Sequence, residues 1–316
     1  MMPRGLTWLA LAICLVLHVT PCAASTENVS EFISILEDRG FTVQEGRIGK
    51  LNVLELCSAG YVNYCFGNNA GFPYAIYILP PSPGQDPSPR QAPPVGYDPD
   101  AADNYPANLD TVPAGMTYKL RPDEAVVLIG NTPPPARYFS FRSYLGFVEN
   151  KPRKDYTGTP TFGDDEIGWY HRIYCSLGDP LNHLNMWTGN TPGGAAGNAF
   201  GSATVLITTA DRDINRMMRD ALTAAGYSPD IINDDNIPPS LVHMGLEKGK
   251  DTFLIIMRAA LWDQPDVGSN YLENVGDHLR VFRITPNTPI AAGEPWPVPA
   301  LRVRETGVSE YQTIPN

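Results

Sequence analysis

The run ATVLITTADRDINRMMRDALTAAGYSPDII, residues 203–232, decides the fold. Ala203 to Thr208 is short, apolar and β-branched, so it reads as a buried strand. From Asp211 to Ala225 the period changes. Ile214, Met217, Met218, Ala221, Leu222 and Ala225 fall on one helical stripe, with a cap near Thr209 and a stop at Gly226. Tyr227 to Ile232 then returns as a strand that Pro229 confines to an edge. A β-α-β unit of this kind needs a sheet to lie on.

Working outward, that sheet is found in short apolar runs on either side. Strands are expected at 41–44, 51–57, 74–79, 125–129, 137–145, 253–260 and 279–284. The run at 137–145 alternates cleanly: Phe139, Phe141 and Leu145 point one way, and Tyr138, Ser140, Arg142 and Tyr144 the other. Val29, Phe32, Ile33 and Leu36 keep helical spacing, with Asn28 as N-cap, Arg39 as the last residue and Gly40 as the stop. Residues 149–201 read as irregular, and ten prolines between Pro80 and Pro113 read as an extended surface excursion. The expected class is α+β, a mixed β-sheet with a few packed helices and long Pro/Gly-rich loops.

The N-terminus carries a different message. Arg4 supplies a positive charge, Gly5 to Val19 is uncharged, and Pro21-Cys22-Ala23-Ala24 offers small residues for cleavage after Ala24. About 14 apolar residues make a helix of roughly 21 Å, short of a hydrocarbon core of about 30 Å. Residues 1–24 are therefore expected to be a signal peptide. Residues 25–316 follow as one globular domain with the proline-rich excursion at 80–113, secreted or periplasmic, its mature chain not inserted in a membrane. In an oxidising compartment Cys57 and Cys65 are close enough in sequence to form a disulfide bond, worth about 2.5 kcal/mol for so short a loop. Cys175 can compete for either partner, and one thiol stays free. His171, four residues before Cys175, would neighbour it only on a helix.

The formal net charge of −11 disfavours phosphate-backbone binding, so nucleic acid is not an expected partner. No nucleophile elbow, Walker loop, zinc-binding His pair or paired Cys-x-x-Cys occurs, and nothing calls for a cofactor or a metal. The acidic stretch from Asp98 to Asn104 lacks the central glycine and final glutamate of a calcium loop. The glycine-rich Gly193 to Gly197 has neither a preceding strand nor a phosphate-binding lysine.

Three arginines stand out because they sit inside apolar strands: Arg142, Arg258 and Arg283. A guanidinium keeps its proton, so each either meets an internal carboxylate, lies on a solvated face, or joins others to hold an anionic group. Tyr138 and Tyr144 share the Arg142 face and add neutral donors. His183, in a polar loop beside Asp179, Asn182 and Asn185, is the candidate general acid or base. Two functions are expected from these residues. One is an exported enzyme, hydrolase- or lyase-like, acting on a small organic substrate with an anionic group. The other is a non-catalytic small-ligand-binding protein using the same arginine and tyrosine face.

Overall fold

The computed structural model describes residues 26–51, 74–85, 116–150, 163–164, 168–247, 249–291 and 293–298. The expected signal peptide, Cys57 and Cys65 with their expected disulfide bond, the acidic stretch at 98–104 and nearly all of the expected proline-rich excursion lie outside the described residues. Among the described residues no helix is long and apolar enough to cross a membrane.

The class is α+β, but the strands divide between two sheets rather than one. In chain order the strands are β1 (Phe41–Glu45), β2 (Arg47–Leu51), β3 (Tyr74–Ile78), β4 (Ala125–Asn131), β5 (Ala136–Asn150) and β6 (Gly163–Asp164). They continue with β7 (Gly168–Ser176), β8 (Leu181–Asn182), β9 (Ala203–Thr209), β10 (Ile232–Asn236), β11 (Thr252–Trp262) and β12 (Leu279–Pro286). The helices are α1 (Thr26–Asp38), α2 (Arg212–Ala224), α3 (Pro265–Glu273) and α4 (Val275–His278). The first sheet runs β1-β12-β4-β9-β10 and the second β2-β3-β11-β5-β7-β6, with β8 paired to β5. All pairings are antiparallel except β9 with β10, the parallel pair that α2 bridges.

Strand alternation sorts the layers. Ala125, Val127, Ile129, Val205, Ile207, Phe282 and Ile284 pack with Phe32 and Leu36 of α1 and with Ile214, Met218 and Leu222 of α2. Their strand neighbours Val126, Leu128, Leu206 and Val281 face the other way, into a core shared with Tyr77, Phe139, Phe141, Phe253, Ile255 and Met257. The order is α1 and α2, first sheet, second sheet, while α3 and α4 pack Tyr271, Leu272 and Val275 into the core between the sheets. The second sheet therefore has one face against the core and an outer face bearing Tyr138, Arg142 and Tyr144, the division that the alternation of β5 predicts.

Several expectations shift in detail. Asp211 rather than Thr209 caps α2, its carboxylate accepting from Asp213 N at 2.7 Å and Ile214 N at 3.2 Å. Met217 lies at the exposed margin of that helix instead of in its buried stripe. α1 begins at Thr26, so Asn28 sits inside the first turn. Ser228 caps a single 3₁₀ turn at Pro229–Ile231, which delays the return strand to Ile232. The stretch read as irregular contains β7, and β5 runs on to Asn150 to pair with it.

Two buried carboxylates tie the layers together. Glu124 and Arg283 form an ion pair at 3.0 Å with both side chains wholly shielded from solvent. Glu124 also accepts from Thr285 Oγ1 at 2.6 Å, from Arg121 N at 2.9 Å and from Ser82 Oγ. Removing the carboxylate would leave a guanidinium buried without its counter-charge. Glu124→Ala is expected to lose about 3–5 kcal/mol in urea unfolding; a loss below about 1 kcal/mol would mean that the pair is dispensable.

Asp235, on the inner face of β10, reaches across to the second sheet, accepting from Ser143 Oγ and, at 2.9 Å, from Thr208 Oγ1. Burial pushes its carboxyl above the ordinary value, against the two hydroxyls and the charge of Arg142. The folded protein thus holds this proton more tightly than the unfolded chain. Its contribution is fully present below the unfolded value of about 3.9 and falls as pH rises through the folded one. Asp235→Asn should gain stability relative to the parent between pH 4 and pH 7, read as diverging urea midpoints. Midpoints that stay parallel would contradict this.

Candidate functional site

β5 and β11 are neighbours, and their register brings two of the three strand arginines onto one surface. Ile256 lies opposite Arg142 and Arg258 opposite Ser140, so Arg142 and Arg258 are diagonal neighbours on the outer face of the second sheet. Such positions stand about 7–8 Å apart, within reach of a shared ligand for two long side chains. Tyr74 of β3 lies opposite Arg258 on its other flank. The Arg258 guanidinium rests between two rings, 5.9 Å from the centroid of Tyr74 and 6.0 Å from that of Tyr138.

Among the described residues neither arginine is neutralised by a neighbour. Among the described residues the arginine ion pairs engage Arg121, Arg216, Arg219, Arg280 and Arg283, and none engages Arg142 or Arg258. Arg142 donates through Nε to Ser176 Oγ, which steers its guanidinium towards β7. Arg258 Nε is buried with no hydrogen-bond partner among the described residues. Burial raises the phenols of Tyr74 and Tyr144, while Arg258 and, for Tyr144, Arg142 pull in the opposite direction. Both therefore stay protonated donors at neutral pH. The face combines fixed positive charge with neutral hydroxyls and flat rings, a composition suited to a carboxylate or phosphate on an organic body.

His183 joins this face at its margin. The pairing of β8 with β5 sets Asn182 opposite Ser140, and His183 N donates to Phe139 O at 3.2 Å. Asn182 Oδ1 then accepts from Leu184 N at 2.8 Å and Asn185 Oδ1 from Asn182 N at 2.7 Å, closing a tight turn. The imidazole meets Tyr138 edge to face at 5.6 Å and packs beside Phe139 and Phe200. Its Nδ1 is buried and has no hydrogen-bond partner among the described residues. A histidine base normally has that nitrogen oriented by an acceptor.

Arg283 stands apart. It belongs to β12 in the first sheet, points into the core and is held by Glu124, so it does not join the other two. Burial draws its pKa down and the Glu124 charge opposes this. Its role is structural, and the reason it parts company is strand parity in a sheet that the sequence does not separate from the other. Cys175 is free and exposed, and β7 is a strand, so four residues put His171 about 13 Å along the chain from it rather than beside it. Among the described residues no group of three potential metal ligands gathers.

Sequence reasoning missed Tyr74, Ser176 and Leu261. The first two come from strands whose partners are far away in the chain. Leu261 lies between the pairs Ala260–Tyr138 and Trp262–Ala136, where the register does not shift, with φ of 55°. A side chain in this left-handed conformation costs about 1–2 kcal/mol, yet Leu261 is 75% exposed and buries little in return. The strain lies one residue from the pairing that positions Tyr138.

The chain matches no protein-family model, and comparison with curated proteins and with solved structures found no match.

Proposed function

We propose that the outer face of the second sheet binds a small organic molecule through a carboxylate or phosphate, and that the protein works outside the cytoplasm. The observation that carries this reading is the pair Arg142 and Arg258, diagonal neighbours on adjacent strands with no carboxylate partner among the described residues. Arg142 has its Nε occupied by Ser176, and no ion pair among the described residues engages its terminal nitrogens. Arg258 has the Tyr74 ring at 5.9 Å and the Tyr138 ring at 6.0 Å, neighbours that restrict its rotamers before any ligand arrives. Such preorganisation favours binding as the core function.

A hydrolase- or lyase-like reaction is the second reading, favoured by the contact of His183 with Tyr138 at the edge of the same face. The unsupported Nδ1 weakens the case for His183 as a general base, so binding ranks first. The unpartnered nitrogen suits the tautomer with its proton on Nε2, which offers a donor to a ligand rather than a base.

Melting curves with phosphate, citrate and benzoate test the binding reading. At least one probe should raise the melting temperature, and Arg142→Gln/Arg258→Gln should weaken that probe by tenfold or more, since a charge-assisted contact is worth about 1.5–3 kcal/mol. A double variant that responds as the parent does would contradict it. In the catalytic reading, His183→Gln should abolish turnover of any hydrolysed or cleaved substrate while the melting temperature holds. Retained turnover would remove His183 from the chemistry.

A further inference from the structure

The interior between the two sheets contains polar atoms that no group among the described residues serves. Tyr77 Oη, Tyr118 Oη and both Nε and Nη2 of Arg283 are buried with no hydrogen-bond partner among the described residues. These atoms are neighbours. Tyr77 projects from the inner face of β3 into the shared core, and Tyr118 enters the same core where its backbone bridges Phe253. The Arg283 guanidinium lies over the Tyr118 ring at 5.7 Å. Asp235 comes from the opposite side, where both bonds from Ser143 and Thr208 land on Oδ2. Its charge is close enough to push both tyrosine phenols up, and Arg283 pulls Tyr118 the other way.

Glu124 and Lys119 O take up Arg283 Nη1, Tyr271 stands near Tyr77, and the rest of the shared core, including Leu128, Val281, Phe253 and Ile255, is hydrocarbon that supplies neither donors nor acceptors. A hydroxyl or guanidinium N–H left unbonded in such a place is among the costliest features a core can carry, and native proteins rarely keep one. Here there are three such groups together, belonging to Tyr77, Tyr118 and Arg283. We propose that the space framed by Tyr77, Tyr118, Asp235 and Arg283 is a built hydration site, whose ordered waters link the two hydroxyls and the unused N–H groups of Arg283 to the carboxylate of Asp235.

Water fits this site better than a solute does. The hydroxyls each give and take one bond, the guanidinium gives, and the carboxylate takes, which meets the two to four partners a buried water requires. Tyr77 is 1% exposed, Tyr118 4% and Arg283 0%, so the site is closed to anything larger that would have to enter from solvent. The waters would act as mortar between layers: they satisfy the second sheet's tyrosine and the first sheet's arginine at once. This site is independent of the outer arginine face and stands or falls separately.

A high-resolution crystal structure of the protein tests it. Waters at about 2.7–3.2 Å from Tyr77 Oη, Tyr118 Oη and Arg283 Nη2 are expected. A dry space, direct bonds between these side chains, or density for a larger molecule would overturn the proposal. Tyr77→Phe/Tyr118→Phe gives a second reading that needs no crystal. Deleting hydroxyls that water satisfies should lower the melting temperature by several degrees, whereas deleting unsatisfied ones would leave it unchanged or raise it.

Discussion

A guanidinium cannot give up its proton, so every arginine placed in an apolar strand forces the surrounding structure to answer its charge. This chain answers in two ways. Arg283 turns into the core between the sheets and is met there by Glu124, itself bonded by Ser82, Thr285 and the backbone of Arg121. Arg142 and Arg258 turn outward, where Ser176 and the rings of Tyr74 and Tyr138 approach them and no carboxylate among the described residues cancels their charge. The first arrangement helps to join two sheets. The second leaves positive charge on a surface, which is how a scaffold becomes a site.

What separates the two cases is the parity of the strands. On β5 the even positions 138 to 144 face outward, and on β11 Arg258 shares that side through the pairing of Arg258 with Ser140. On β12 the odd position 283 faces the core, next to Val281 in the buried layer. One residue of slip in any of these strands would exchange the roles. The outer face therefore depends on register, and the register of β5 and β11 is fixed by Phe139, Phe141, Phe253, Ile255 and Met257 on the other side of the same strands.

Much of this was legible before the structure. The alternation in β5, the β-branched run of β9 and the stripe of α2 are local signals, and each led to the right element. β10 was legible only as a return strand several residues too early, because Ile232–Asn236 is polar at every position after Ile232. Its burial is created by distant partners: Asn233 exchanges bonds with Trp187, and Asp235 is met by Ser143 and Thr208. β7 escaped notice although Trp169 to Cys175 is rich in strand formers, since its flanks are irregular. The division into two sheets has no local signature. Pairing between segments a hundred residues apart is a property of the assembled core, and the same holds for the convergence of Tyr74 and Ser176 on the arginine pair.

On our proposal Arg142 and Arg258, which no carboxylate among the described residues neutralises, meet one ligand together, while Arg283, paired with Glu124, does not. Nitrogen-15 NMR of the arginine Nε–Hε groups measures this directly during titration with phosphate or benzoate. The Arg142 and Arg258 signals are expected to move together along one binding curve, and the Arg283 signal to stay in place. Signals of Arg142 and Arg258 that remain still, or an Arg283 signal that moves as far as theirs, would contradict it.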